Sequence, residues 1–274
     1  MKPRRQKITA AFSLPEVLIV VAIVATLAAI VLPDFARKKN RANRIKCVGN
    51  QKQIGTAFRV FASDNGDSYP LQTTNNAYLY PPGGAGTLPG AVVSTNAQPW
   101  QVFQCMWNEL QTPKVLLCPS DRARSTYNRT TDINGLARAP GSITTASLAH
   151  PGNQNQAISY ATVANTEEAR PLQVLITDRN INLATTNTAA AIRPLPSGTR
   201  FTVASAAAAG SMFWVGRRSS GSLHGLAGNF STADGSVLQA SATILQAVLV
   251  NSGTAYGWGT PTNSAPGVSE FLLP

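Results

Sequence analysis

Phe12-Ser-Leu-Pro-Glu16-Val-Leu-Ile-Val-Val-Ala-Ile-Val-Ala-Thr-Leu-Ala-Ala-Ile-Val-Leu-Pro33 is an apolar run of membrane-crossing length, and it holds a single carboxylate, Glu16, near its start. A charge inside a hydrocarbon-length segment costs about 2.5–3.5 kcal/mol at mid-helix on insertion scales, so it persists where an opposite charge meets it. The partner expected here is the amino terminus of another copy.

The flanks narrow the meaning of this run. Lys2, Arg4, Arg5 and Lys7 precede it, and the small residues Ala10 and Ala11 stand immediately before Phe12. A conventional secretory signal has an apolar core of about 7–15 residues that ends in a small-residue cleavage site. This run is longer and leads into Pro33-Asp-Phe-Ala-Arg-Lys-Lys39. An ordinary signal peptide and a plain uncleaved anchor are therefore the lesser alternatives.

A small residue, then Phe12, then Glu16 at the fifth place of the product, then an unbroken apolar stretch: over residues 5–33 this resembles the class III signal of type IV pilins and type II secretion pseudopilins. The resemblance implies that a prepilin peptidase cuts between Ala11 and Phe12 and methylates the new amine of Phe12. The family usually has Gly where this chain has Ala11. It further implies that Glu16 pairs with a neighbour's amine and sets register in a filament, and that Pro33 is the family's helix-weakening proline. The implied organisation is a leader (1–11), a transmembrane and polymerisation helix (12–33), its amphipathic extension (34–66) and a β-rich head (67–274). The implied partners are the peptidase, other pilin or pseudopilin subunits, an inner-membrane assembly platform and membrane lipid. The implied location is a single pass through the inner membrane with the carboxy-terminal domain in the periplasm, or a cell-surface filament.

Two charge signals oppose each other at the membrane. Arg37, Lys38, Lys39, Arg41, Arg44 and Lys46 follow the run, against four basic residues before it, and the positive-inside tendency alone would keep the head in the cytoplasm. That tendency is statistical, and the resemblance places the head outside. The formal charge of +11 falls to +7 once the leader is removed. Much of the excess lies in 37–46, beside the position of anionic lipid head groups, which favours a membrane-surface role over nucleic-acid binding.

Residues 34–64 read as a continuation of the helix into solvent. Ile45, Val48, Ile54, Phe58, Phe61 and Ala62 recur at helical spacing among Lys, Arg, Asn and Gln, and Gly66 in Asp64-Asn-Gly-Asp67 supplies the stop. Such a stripe needs a cover, and a following sheet provides it. The expected fold is α+β and pilin-like, a long amino-terminal helix on an antiparallel β-sheet with long loops.

Beyond the helix, 71–98 reads as a loop from Pro81-Pro-Gly-Gly84 and Leu88-Pro-Gly90. A helix is predicted from Pro99, with Phe103, Met106, Trp107 and Leu110 on one core-facing side. Strands are predicted at Val115–Cys118, 158–163, 174–177, 212–215 and 228–238, the last bent at Asp234-Gly235 in a type I′ turn as an edge hairpin. Ser241 is expected to cap a short helix with Ile244, Leu245, Val248 and Leu249 inward, and the tail from Asn251 reads as coil. Cys47-Val-Gly-Asn-Gln-Lys-Gln-Ile-Gly-Thr-Ala-Phe-Arg59, Leu117-Cys118-Pro-Ser-Asp121, Ile158-Ser-Tyr160, Asp178-Arg-Asn180 and Gly228-Asn-Phe-Ser-Thr-Ala-Asp-Gly-Ser-Val237 resemble a group of pilin-like proteins common in Verrucomicrobia and Planctomycetes.

Of three cysteines, Cys47 on the helix and Cys118 at a strand end are the preferred pair, because helix-on-sheet packing brings such positions within bridging reach. Cys105 with Cys118, or no bridge, stay open. No metal or other cofactor is expected, since there is no Cys-x-x-Cys and the histidines, His150 and His224, are far apart. No nucleophile–base or phosphate-binding motif occurs, so no enzyme is expected; His224, ten residues before Asp234, is the one residue worth testing as a base. The competing class is a minor pilin or membrane-anchored binding module that contacts a surface, a glycan, DNA or secreted cargo through loops at 71–98 and 180–210.

Overall fold

The computed structural model describes residues 14–72, 98–133, 145–183, 195–215, 223–224, 226–258 and 269–274. The chain divides into two compact units, Met1–Ala42 and Asn43–Pro274. Helix α1, Leu14–Asp64, begins in the first and ends in the second, and its helical state is unbroken at Pro33 and Gly55.

In the first unit, Leu14–Leu32 forms a 19-residue segment long and apolar enough to cross a membrane, and none of it is buried. Its polar side chain at Thr26 turns back on the helix, donating its hydroxyl to the Ala22 carbonyl at 2.8 Å. That bond satisfies the hydroxyl donor among the apolar side chains around it.

In the second unit, α1 presents Cys47, Gln51, Ile54, Phe58 and Phe61 to the core in steps of three and four, with Ala62 beside Phe61. Ile45 departs from the expected stripe: it is 58% exposed, because Cys47 and Gln51 set the phase of the buried face half a turn away from it. The helix ends as expected from Gly66, which takes φ 65° while the Asp67 N–H reaches back to the Ala62 carbonyl at 2.8 Å. This is the bond that closes a Schellman cap.

Helices α2 (Pro99–Cys105) and α3 (Trp107–Leu110) follow, broken at Met106. The break turns Trp107 outward, to 37% exposure, and corrects its assignment to the core face. The strand predicted at Val115–Cys118 is instead a 3-10 turn over Pro113–Leu116. Val115 and Leu116 have strand propensity, but Pro113 fixes the first position of the turn and the Thr112 hydroxyl accepts from the Lys114 N–H.

The strands are β1 (Tyr160–Val163), β2 (Val174–Asp178), β3 (Ile181–Leu183), β4 (Arg200–Val203), β5 (Met212–Trp214), β6 (Ala227–Thr232), β7 (Val237–Ser241) and β8 (Ser269–Leu272), with helices α4 (Ala206–Gly210) and α5 (Ala242–Tyr256) among them. Six form one antiparallel sheet in the order β4-β8-β1-β2-β6-β7, and β3 pairs with β5 in a second. The fold is thus α+β.

Both faces of the large sheet are covered. One meets Ile54, Phe58, Phe61, Phe103, Met106 and Leu116; the other, carrying Ala161, Val163, Phe230 and Phe271, meets Leu245 and Leu249 of α5 and Trp214 of β5. Double coverage explains why β1 and β2 are buried at every position and show no polar–apolar alternation. The covering layer also corrects several boundaries. Residues 180–210, read as loop, contain β3, β4 and α4. Helix α5 runs past Asn251 to Tyr256 with Ile244 47% exposed, and Ser241 occupies its N-cap position without a side-chain capping bond. The tail read as coil contributes β8, an interior strand between β4 and β1. The loop predicted at 71–98 lies outside the described residues except at its ends.

The β6–β7 hairpin turns at Asp234-Gly235 by another route than type I′. Only Gly235 has positive φ, 83°; the Gly235 N–H donates to the Thr232 carbonyl and the Thr232 N–H to the Ser236 carbonyl. This is the three-residue connection of a type I turn followed by a left-handed glycine.

Candidate functional site

Two regions concentrate unusual chemistry, one in each unit. In the first, Glu16 occupies the first turn of α1 and is exposed, with exposed apolar side chains Val17 to Leu32 beyond it. A carboxylate in a first turn interacts favourably with the helix dipole. Ala11 and Phe12 lie outside the described residues. Of the basic run, Lys38, Lys39, Arg41 and Lys46 are exposed, whereas Arg44 is half-buried.

In the second unit, the short phrases Cys118–Asp121, Ile158–Tyr160, Asp178–Asn180 and Gly228–Asn229 converge on α1. Asp121 is 4% exposed and receives both arms of Arg179, Nε to Oδ2 at 2.7 Å and Nη2 to Oδ1 at 2.8 Å, together with the Ser159 hydroxyl at 2.9 Å. These donors satisfy a carboxylate whose burial would otherwise be costly. Arg124 donates to the carbonyls of Asn155, Ile158 and Pro274, tying β1's entry and β8's exit to one side chain. Burial, and then the neighbouring Arg179, pull Arg124 down to about 9, so it stays charged at neutral pH.

Asp178 ends β2 directly beneath α1 and is fully buried. Its Oδ1 accepts from Gln51 Nε2 at 2.9 Å and its Oδ2 from the Asn229 backbone N–H at 2.7 Å. Gln51 also donates to the Asn229 carbonyl at 3.2 Å, so one helix side chain reads the ends of both β2 and β6. Asn50, next along α1, donates to the Leu117 carbonyl at 2.9 Å and to the Tyr160 hydroxyl at 3.3 Å. These bonds fix the register of the helix on the sheet, where an apolar stripe alone would allow sliding.

His224 sits against this knot. Its Nε2 is 3.5 Å from Asp178 Oδ2 and 3.5 Å from Cys118 Sγ, and its side chain is 2% exposed. Burial raises the Asp178 carboxyl to about 7 and lowers the His224 imidazole, helped by Arg44, to about 4. Both shifts favour uncharged forms, so at neutral pH the contact is that of a neutral imidazole beside a carboxyl group. Asp234, the acid nearest His224 in sequence, belongs to the hairpin turn and is exposed.

Cys47 and Cys118 are joined by a disulfide with Cα atoms 5.2 Å apart, closing a loop with a sequence separation of 71. It links the half-buried turn of α1 to the segment after the Pro113–Leu116 turn. Cys105 is a free, buried thiol whose S–H donates to the Val102 carbonyl, and burial pushes its pKa far up. Cys118 also lines a cavity of about 550 Å³ with Lys46, Asn50, Gln53, Lys114 and Asp121.

The Cys47–Cys118–His224–Asp178 convergence is not legible as a motif, since its members are separated by tens of residues and each looks solitary. The usable signal is chemical: an Asp, an Arg and an Asn in succession at the end of an apolar strand require buried partners. No protein-family model matches the chain, and neither a curated protein nor a solved structure matches it.

Proposed function

We propose that the chain is a pilin-like or pseudopilin-like structural subunit, inserted in the inner membrane through its amino-terminal helix and assembled through it into a filament with its head on the periplasmic side. The observation that carries this reading is the exposed 19-residue apolar segment with a single carboxylate in its first turn. The pilin-like signal over residues 5–33 supports it.

In the proposed assembly, a prepilin peptidase releases the leader and the amine of Phe12 becomes the positive partner of Glu16 on an adjacent subunit. In a low-dielectric medium the attraction is strong and neutralises a charge that lipid would penalise, so it fixes axial register while apolar helices pack side by side. The buried α1–sheet bonds at Asn50 and Gln51 suit a head that must stay rigid on its helix. The mature amino terminus, read by mass spectrometry of protein from the native cell, should be N-methyl-Phe12; an intact Met1 or a start beyond Leu32 overturns the reading. Glu16→Ala should reduce incorporation into sheared filaments more than about tenfold with the head's melting temperature unchanged. Abundance along those filaments separates a major subunit from a minor one.

A further inference from the structure

We propose that, when its disulfide is opened, the second unit holds a zinc ion on Cys47 Sγ, Cys118 Sγ and His224 Nε2.

The three ligand atoms lie within 4.8 Å of one another, although they come from α1, the turn before Asp121 and the segment leading into β6. Zinc bonds of about 2.3 Å to sulfur and about 2.0–2.1 Å to imidazole nitrogen, in a tetrahedron, put sulfur and nitrogen about 3.5 Å apart and two sulfurs about 3.8 Å apart. Cys118 Sγ and His224 Nε2 already stand at 3.5 Å. The cysteine sulfurs need only side-chain rotation after the bond opens, since their Cα separation of 5.2 Å leaves the backbone in place. Two thiolates and an imidazole are a donor set suited to zinc and unsuited to calcium or magnesium.

The surroundings favour a bound cation over a mere crosslink. Asp178 Oδ2 stands 3.5 Å from the same imidazole nitrogen. Among the described residues, the buried Gln51 Oε1 and both ends of the Asn229 side-chain amide, on the two residues that bind Asp178, have no hydrogen-bond partner. These unpaired atoms belong to residues that bind the carboxyl group beside His224 Nε2, and a water carried by an ion bound there is a group that could satisfy them. The cavity that Cys118 lines provides the approach.

The chemistry balances. A dithiol reductant gives two electrons and two protons to the Cys47–Cys118 bond and leaves as its own disulfide. Zinc then displaces the two thiol protons to solvent, and two thiolates with one neutral imidazole neutralise the dication, leaving one position for water.

The test uses the full chain in detergent micelles, reduced with a water-soluble phosphine and freed of it without air. Cobalt(II) titration should give a thiolate-to-cobalt charge-transfer band saturating at one ion per chain and removed by zinc; the oxidised chain should give none. Cys105→Ser should keep the band, Cys118→Ser should lose it, and His224→Gln should weaken binding by about tenfold or more. Independently of any variant, zinc should slow alkylation of Cys47 and Cys118 in the reduced wild-type chain by a larger factor than it slows alkylation of Cys105. No band in the reduced wild type, a band undiminished by Cys118→Ser or His224→Gln, or alkylation of Cys47 and Cys118 slowed no more than that of Cys105 overturns the proposal.

Discussion

The two ends of helix α1 obey the same backbone rules and opposite solvent rules. From Leu14 to Leu32 the apolar side chains run all round the helix and none is buried; from Cys47 to Ala62 one apolar stripe is buried almost completely, and Val60, off that stripe, is 45% exposed. The second end also carries Asn50 and Gln51, which hydrogen-bond to Tyr160 of β1 and Asp178 of β2, while the first has Thr26 bonded to its own helix. Amphipathicity specifies a partner inside the molecule, whereas uniform apolarity specifies a medium outside it.

The sharpest way to break this contrast is to truncate one apolar side chain at each end. Phe58 is 3% exposed and packs edge-on to Tyr69 and Phe103 at 5.5 and 6.4 Å. Phe58→Ala should cost the second unit about 3–5 kcal/mol in a denaturant titration. Ile23→Ala, at a 55% exposed position, should leave that titration unmoved. Equal effects would erase the distinction between the two ends.

A comparable loss should follow Cys47→Ser. Closing a loop with a sequence separation of 71 restricts the unfolded chain by about 4 kcal/mol on the loop-entropy estimate. The same loss should appear in the wild type under reduction without added metal, measured by the same titration; zinc should restore part of it in the wild type alone.

A smaller effect is expected at Gly228, where a Cβ would lie 2.5 Å from the Trp214 ring. Both sit in buried β-structure, so Gly228→Ala forces the indole aside and should cost about 1–3 kcal/mol. Thermal melting with tryptophan fluorescence reads both the loss and the displaced ring.

The smallest belongs to Asp234. Burial opposes its ionisation, but the Thr232 hydroxyl, the Ser236 N–H and hydroxyl and then Arg59 outweigh it and hold the carboxyl below its ordinary range. A carboxyl depressed in the folded state adds stability above its unfolded pKa, near 4, and loses it as pH falls through the folded value. Asp234→Asn should therefore cost about 1 kcal/mol or less at neutral pH and nothing in strong acid, as urea midpoints across that range will register.

How much of this was readable follows the length scale of the forces. The helix, its buried phase from Ile54 to Ala62, its stop at Gly66 and the strands at 160–163, 174–178 and 212–214 arise from local pattern, and local pattern located them. The Pro113–Leu116 turn misled because strand-forming side chains sat on a backbone already committed by Pro113 and Thr112. Strand β8 escaped notice because it has four residues, Ser269-Glu-Phe-Leu272, in a Gly- and Pro-rich region, and gains its structure wholly from β1 and β4. The polar knot is invisible for the same reason: Asp121 acquires meaning from Arg179, and Asp178 from Gln51 and Asn229, only once the sheet exists.

That interior position of β8 constrains how the second unit folds. Leu272 pairs with Thr162 on one side and Arg200 on the other, so two strands made far earlier wait with open edges until the last one is delivered. The second unit is therefore closed by pairing between segments far apart in the chain, an arrangement of high contact order that slows folding.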